Sequence, residues 1–195
     1  LKPKLLSETI PTIKEVNVET AAIQYVYYVR AKTSSGSETF LVKEFYRVRY
    51  SGSRLYLLNF RRTMEAVFNP KLTSVRKSQF KIGVSNESNF QLTLNDRANE
   101  LAFVRNGSLW YYDMDKDNLH EVFSFAQKKT DYLRDTYDQH NIKILNFDDN
   151  NTINFVVYGY MNCGDYEGRV AVILYNYDPA KNLITERVYI PLETT

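Results

Sequence analysis

Apolar and polar positions alternate along most of this chain in short runs, each closed by a polar turn. In "YRVRY", Tyr46, Val48 and Tyr50 fall on one side while Arg47 and Arg49 fall on the other, the period-2 mark of a half-buried strand. "AAIQYVYYVRA" and "TFLVKEFYRVRY" flank the turn-rich "KTSSGSE" around Gly36, and "SGS" leads into "RLYLLNF". "MEAVFNP" fits a short helix or a strand, and Pro70 ends it either way. "SQFKIGVSN" and "FQLTLND" are short and alternating. Residues 1–20, interrupted by Pro3 and Pro11, read as a lead-in.

The pattern is sharpest in "ELAFVRNGSLWYYDMDKDNLHEVFSF", residues 100–125. Asn106-Gly107 marks a hairpin, because both residues tolerate positive φ, and "DKDN" marks a second turn. With "FQLTLND" before them, the three apolar runs make a four-stranded unit. The tail repeats the scheme: "IKILNFD", "TINFVVYGYM", "RVAVILYNYD" and "LITERVYIP" are separated by "DNN", "NCGDYEG" and "PAKN". "WYYDMDKDNLHEVFSF" aligns with "LYNYDPAKNLITERVYI". Tyr112-Asp113 then matches Tyr177-Asp178, and Asn118-Leu119 matches Asn182-Leu183, with the second turn one residue shorter. The offset of about 65 residues exceeds the roughly 40–50 of ordinary propeller blades. The excess sits in "AQKKTDYLRDTYDQHN" and "NCGDYEG".

A four-stranded unit of this kind exposes an apolar face it cannot bury alone, so such units must stack. The expectation is therefore an all-β fold of consecutive four-stranded antiparallel blades, propeller-like, in one domain over 1–195. It comprises a lead-in (1–20), a basic β-rich region (21–90) and blades at 91–130 and 141–190. The expected core is Leu101, Phe103, Leu109, Tyr111, Phe123, Phe155, Val157, Val172, Leu174 and Tyr189.

Composition narrows the classes. The 16 Tyr and 11 Phe suit half-buried sheet faces, and only 7 Gly and 5 Pro exclude collagen-like and low-complexity chains. Cys163 is the single cysteine and has no internal disulfide partner, which fits the cytosol or an exterior where disulfides are not used. No run approaches the roughly 20 apolar residues that cross a bilayer. The chain opens "LKPKLL", without an initiator Met or a signal-peptide pattern, and reads as a segment of a larger protein or a processed form. The net charge of +2 hides a split: residues 30–81 carry 12 Lys/Arg against 3 Asp/Glu, and residues 82–195 carry 10 against 17. An anionic partner would account for it. The bland reading, in which the two parts attract or the charges solvate outer faces, is preferred. Aromatics and arginines on opposite strand faces argue against a nucleic-acid partner.

Candidate chemistry is sparse. "DMDKDN" opens like a calcium loop with Asp113, Asp115 and Asp117, but Asn118 stands where Gly is wanted and Ser124 where a bidentate Glu is wanted. One Cys and two separated His argue against zinc. The chain has no phosphate-binding loop, dinucleotide fingerprint or G-x-S-x-G elbow. No metal, no cofactor and no catalytic residue are therefore assigned. "TDYLRDTYDQHN" supplies a candidate binding loop with Arg134, Asp135, Tyr137, Asp138 and His140, where Thr130 could cap a short helix with Leu133 and Tyr137 at i, i+4. "YGYMNCGDYEGR" supplies a second with Asp165 and Glu167. A glycosidase would need two such carboxyls roughly 5–5.5 Å apart for retention or about 6.5–9.5 Å for inversion. Cys163 with His140 or His120 is the conceivable nucleophile pair, although His120 sits in a strand and reads as packing.

"ELAFVRNGSLWYYDM" resembles blades of β-propeller repeats related to the Tol-system and WD-type families, in which an apolar strand, a glycine turn and an aromatic return strand recur. The resemblance covers residues 99–125 and extends over 142–190. "YDQHNIKILNFD", "FVVYGYMN" and "EGRVAVILYNYD" are similar to segments of uncharacterised membrane-anchored surface proteins of Gram-positive bacteria. That resemblance implies an extracytoplasmic domain, membrane-associated only through an anchor outside this chain, and implies no activity. A closed propeller needs at least roughly four blades, whereas this chain at its own spacing supplies about three. Either a missing segment or second copy completes it, or the blades form an open stack whose exposed last face favours a homo-oligomer. The expected role is a non-enzymatic interaction domain whose rim loops meet a protein or cell-wall polymer. The alternative is a carbohydrate-active hydrolase or glycan-binding module using the same loop carboxylates.

Overall fold

The computed structural model describes residues 3–33, 36–70, 82, 90–126 and 137–192. Among them every regular element is a β-strand, and no helix is long and apolar enough to cross a membrane. The chain divides into two compact units, Leu1–Ser88 and Asn89–Thr195.

In the first unit, β3 (Thr20–Thr33), β4 (Gly36–Ser51) and β5 (Arg54–Ala66) form a long antiparallel meander. Two short strands, β1 (Lys4–Leu5) and β2 (Pro11–Val16), pair with successive stretches of the free edge of β3. Residues read as a lead-in therefore contribute strands. Pro11 is tolerated because it is the first residue of an edge strand. Met64, in the segment that fitted helix or strand, belongs to the end of β5. The "SQFKIGVSN" segment lies outside the described residues except for Ile82.

Pairing confirms the two faces of "YRVRY". Tyr46 is opposite Phe60, Val48 opposite Leu57 and Tyr50 opposite Leu55, while Arg47 faces Asn59 and Arg49 faces Tyr56. One face is aromatic and aliphatic and the other carries Lys43, Arg47, Arg49 and Arg61. Among the described residues of this unit, Ala22, Val42, Glu44 and Ala66 alone are buried.

The second unit holds two four-stranded meanders. The first is β6 (Leu92–Leu94), β7 (Glu100–Arg105), β8 (Ser108–Asp113) and β9 (Asn118–Ser124). The second is β10 (His140–Phe147), β11 (Ile153–Tyr160), β12 (Val170–Asp178) and β13 (Leu183–Pro191). Each follows chain order, so the fold is all-β with consecutive four-stranded antiparallel sheets. The β7–β8 turn is the expected Asn106-Gly107, with φ of 51° and 75°.

The repeat is closer than the sequence alignment made it. Tyr112 donates to Asp117 Oδ1 at 2.8 Å, and Tyr177 to Asn182 Oδ1 at 3.0 Å. Asp113 binds Lys116 Nζ at 2.8 Å, and Asp178 binds Lys181 Nζ at 2.7 Å. Asp117 and Asn182 both adopt left-handed backbone, at φ 49° and 50°. Both turns thus read Tyr-Asp-x-x-Lys-Asp/Asn with no length difference. Asp117, rather than Asn118, is the partner of Asn182. The extra residue in β9 is Val122 and in β13 is Arg187, again the same step of the repeat.

Ala102, Leu109, Tyr111 and Phe125 of the first sheet pack with Ile142, Ile153, Phe155, Val157, Ile173 and Tyr177 of the second in one core. The stack runs head to tail. Tyr177 and Tyr175 face the first sheet, and their counterparts Tyr112 and Trp110 lie on that sheet's other, also buried, face. Leu109 and Phe123, which receive the second sheet, correspond to Leu174 and Val188 on the outward face of the second sheet. Hence Val172 and Leu174 are not core: Val157 pairs with Ile173 and Phe155 with Tyr175, which puts Val172 and Leu174 on the opposite side. Leu101, Phe103, Leu109, Tyr111, Phe155 and Val157 are buried as expected, and Phe123 and Tyr189 pack half-buried against the core.

Candidate functional site

The first unit contains a groove of about 520 Å³ lined by Leu5, Thr9, Ile23, Tyr25, Tyr27, Glu44, Tyr46 and Val48. That volume and its aromatic lining are those of a ligand-sized cleft. Period-2 geometry assembles it: Ile23, Tyr25 and Tyr27 on β3 and Glu44, Tyr46 and Val48 on β4 share one sheet face. The segment carrying Leu5 and Thr9 forms the wall, held by Leu6 N donating to Tyr28 O at 2.9 Å and Tyr28 N donating to Ser7 Oγ at 3.0 Å. Tyr46 meets Tyr25 edge-on at 5.9 Å and Phe60 at 4.9 Å.

Among the described residues Glu44 is the only carboxylate in the groove lining. It accepts from Tyr27 at 2.8 Å, Tyr46 at 2.7 Å and Arg62 Nε at 2.6 Å. Burial pushes its pKa up, but the bonds from Tyr46, Tyr27 and Arg62 outweigh that and hold it below the ordinary carboxylate value. Glu44 therefore stays ionised near neutrality and is a fixed anion, not a proton donor. Arg62 lies 5.4 Å over the Phe60 ring and balances the charge. Such a groove can seat apolar or planar groups and orient them by hydroxyls and one carboxylate. Sequence reasoning passed over Glu44, Tyr25 and Tyr27. The signal was available: continuing the face of Tyr46, Val48 and Tyr50 two residues back lands on Glu44.

In the second unit, a small polar cleft of about 130 Å³ lies between the β8–β9 and β12–β13 turns, lined in part by Glu100, Tyr111, Asp113, His120, Asn151 and Asp178. Its polar groups clasp the two sheets together. His120 Nε2 lies 2.5 Å from the Tyr177 hydroxyl. The same hydroxyl lies 3.0 Å from Asn182 Oδ1, so it joins the β9 histidine to the β12–β13 turn. Asn151 donates to Glu100 and Asn95 donates to Asn151 at 3.0 Å, while away from the cleft Gln91 donates to Ile142 O at 2.8 Å and accepts from Ile144 N at 3.0 Å. Burial pushes the Tyr177 hydroxyl up to about 12 and lowers His120, so both remain neutral at physiological pH. Asp113, Asp115 and Asp117, the calcium-like triplet, are each spent on the turn: Asp113 on the Asp115 and Lys116 amides, Asp115 on Asn99, Asp117 on Tyr112. Among the described residues no group of three His, Cys, Asp or Glu is arranged to hold a metal.

Of the loop residues singled out from sequence, Arg134 and Asp135 lie outside the described residues, as do Thr130 and Leu133. Tyr137, Asp138 and His140 stand beside the base of the loop that carries Asp165 and Glu167, at the end of the sheets opposite the polar cleft. Asn162 donates to Tyr137 O at 2.7 Å, and the Tyr137 and Tyr160 rings meet edge-on at 5.0 Å. The His140 ring packs 4.6 Å from Phe125, and its pKa is pushed down by burial. Cys163 Sγ points to Phe125 O at 3.8 Å. Asp165 and Glu167 are exposed, and Tyr166 between them stacks on Tyr189 at 3.8 Å. Comparison of the chain with protein-family models, curated proteins and solved structures gives no match. The likeness of residues 99–125 to propeller blades rests on the sequence pattern.

Proposed function

We propose that the chain is a non-enzymatic interaction and scaffold domain of a larger extracytoplasmic surface protein, its second unit a propeller-like stack and its first unit a docking sheet for a protein partner. One observation carries this reading. The first unit spreads three strands of 13 to 16 residues yet buries only Ala22, Val42, Glu44 and Ala66 among its described residues. A sheet gains its stability by burying an apolar face. Here Tyr50, Leu55, Leu57, Phe60 and Met64 stay exposed on that face. The head-to-tail packing of the second unit supports the propeller-like reading, since each sheet presents an accepting face to a successor. The 137–140 and 161–169 loops would offer a second contact at the rim.

A photo-crosslinking residue at Leu57 of the full chain tests the role on intact cells that make the protein. A discrete protein adduct from position 57, missing from a probe at the fully exposed Val18, supports it. The same adducts from both positions, or none from position 57, would refute it. The aromatic groove also favours glycan binding as a second reading. Titration with cell-wall oligosaccharides tests it, and binding unchanged by Tyr25→Ala would remove it.

A further inference from the structure

We propose that the edge of β5 over residues 54–62 takes up, by strand addition, an extended segment of a partner protein in which apolar residues alternate with acidic ones. This rests on the interaction reading above and names the chemistry of the partner.

Among the described residues β5 is the last strand of its sheet, paired with β4. All residues of 54–62 are exposed, including Leu55 at 70%, Leu57 at 60% and Phe60 at 43%. Long apolar edges are ordinarily short, bent away or covered, because their unpaired amides and carbonyls template another strand. Main-chain bonds would give affinity, and alternate side chains would give specificity.

The two faces beside the edge dictate those side chains. On one side the incoming strand meets Leu55, Leu57 and Phe60, continuous with Tyr50, Val48 and Tyr46. On the other it meets Arg61 of β5, with Arg49 of β4 reaching over Tyr56 behind it. The Arg49 and Arg61 guanidinium groups lie 5.8 Å from the Tyr56 ring and 5.9 Å from the Phe45 ring. Such cations recognise carboxylates. A strand with residues of period 2 satisfies both faces only if apolar and acidic positions alternate. A second copy of β5 is the wrong occupant. Residues 54–62 carry Arg54, Arg61 and Arg62 and no acid, so self-pairing brings like charges together.

The test measures fluorescence anisotropy of labelled octapeptides on the full chain at low salt. The probes are (Val-Glu)4, (Val-Lys)4, and (Val-Glu)4 with alternate amides N-methylated. We expect (Val-Glu)4 to bind at least about 10-fold tighter than (Val-Lys)4, N-methylation to abolish binding, and added salt to weaken it. The double substitution Arg49→Glu, Arg61→Glu should invert the preference towards (Val-Lys)4. Equal binding of both charge patterns, binding indifferent to N-methylation, or no binding at about 1 mM peptide overturns the proposal. So does a dimer that dissociates on Leu57→Lys, which would make a second copy the occupant. If the charge-swapped chain fails to fold, the N-methyl and salt comparisons on the native chain still decide. A crosslinked partner at position 57 without peptide binding would leave the interaction role standing and remove strand addition alone.

Discussion

The tyrosines of the two repeat turns show how one hydroxyl can hold a sheet end. Tyr112 and Tyr177 each close a turn onto a left-handed Asp or Asn five residues on. Tyr177 also meets His120 across the sheet-to-sheet boundary. Tyr112→Phe and Tyr177→Phe should each cost about 1–3 kcal/mol by chemical denaturation. The larger loss is expected at Tyr177, where His120 would also lose its hydroxyl partner. Titration adds a second residue-level expectation. His120 and His140 both have pKa values lowered by burial, so the unfolded chain takes up protons first, near pH 6.5. Their contribution is complete above that pH and is lost as pH falls through the folded values. Thermal midpoints of the second unit should therefore drop between about pH 7 and 5, and His120→Gln should flatten that slope. In the first unit Glu44 behaves likewise at lower pH: its contribution is complete above roughly pH 5 and drains below it, and Glu44→Gln should remove that dependence.

At the scale of elements, the strands of the two repeated sheets, their order and the two tight turns were legible because each rests on local physics, alternation, Asn106-Gly107 and the Tyr-Asp turns, whereas β1 and β2 in the Pro-interrupted lead-in were not. What escaped was facing. "RVAVILYNYD" is apolar at nearly every position, so period 2 cannot say which set turns inward. Register decides it: Ala171, Ile173, Tyr175 and Tyr177 go in, and Val172 and Leu174 go out. The turn alignment erred for a related reason, since Asn118 and Asn182 look alike in sequence. It is Asp117 that shares the left-handed conformation and the tyrosine partner. The groove escaped because the face was read back only as far as Tyr46, and Glu44 is the next residue along it. The direction of each face predicts a contrast in mutational cost. Ile173→Ala, at a residue 2% exposed, should cost about 2–5 kcal/mol. Val188→Thr, at a residue 43% exposed on the outward face, should cost under about 0.5 kcal/mol.

The whole chain joins two units with different sources of stability. The second owns a continuous core in which Leu109, Ile153, Phe155, Val157 and Ala171 have no exposed surface, and polar bonds tie its two sheets together. The first is a wide sheet whose regular pairing is backbone-deep but whose burial is shallow. Burying a large apolar side chain contributes roughly 1.5–3 kcal/mol, and ordering each residue costs about as much in chain entropy. The second unit can meet that cost alone, whereas among the described residues of the first Val42 is the largest buried apolar side chain, too little to meet it. Residues 89–195 produced separately should therefore unfold cooperatively on heating, with sharp near-ultraviolet circular dichroism from Trp110 and the core tyrosines. Residues 1–88 produced separately should lack a cooperative transition and bind hydrophobic dye, and should gain protease resistance when a strand or sheet partner is supplied. A sharp, dye-free transition in isolated 1–88 would show that its open aromatic face needs no cover, and the docking role assigned to it would lose its physical basis.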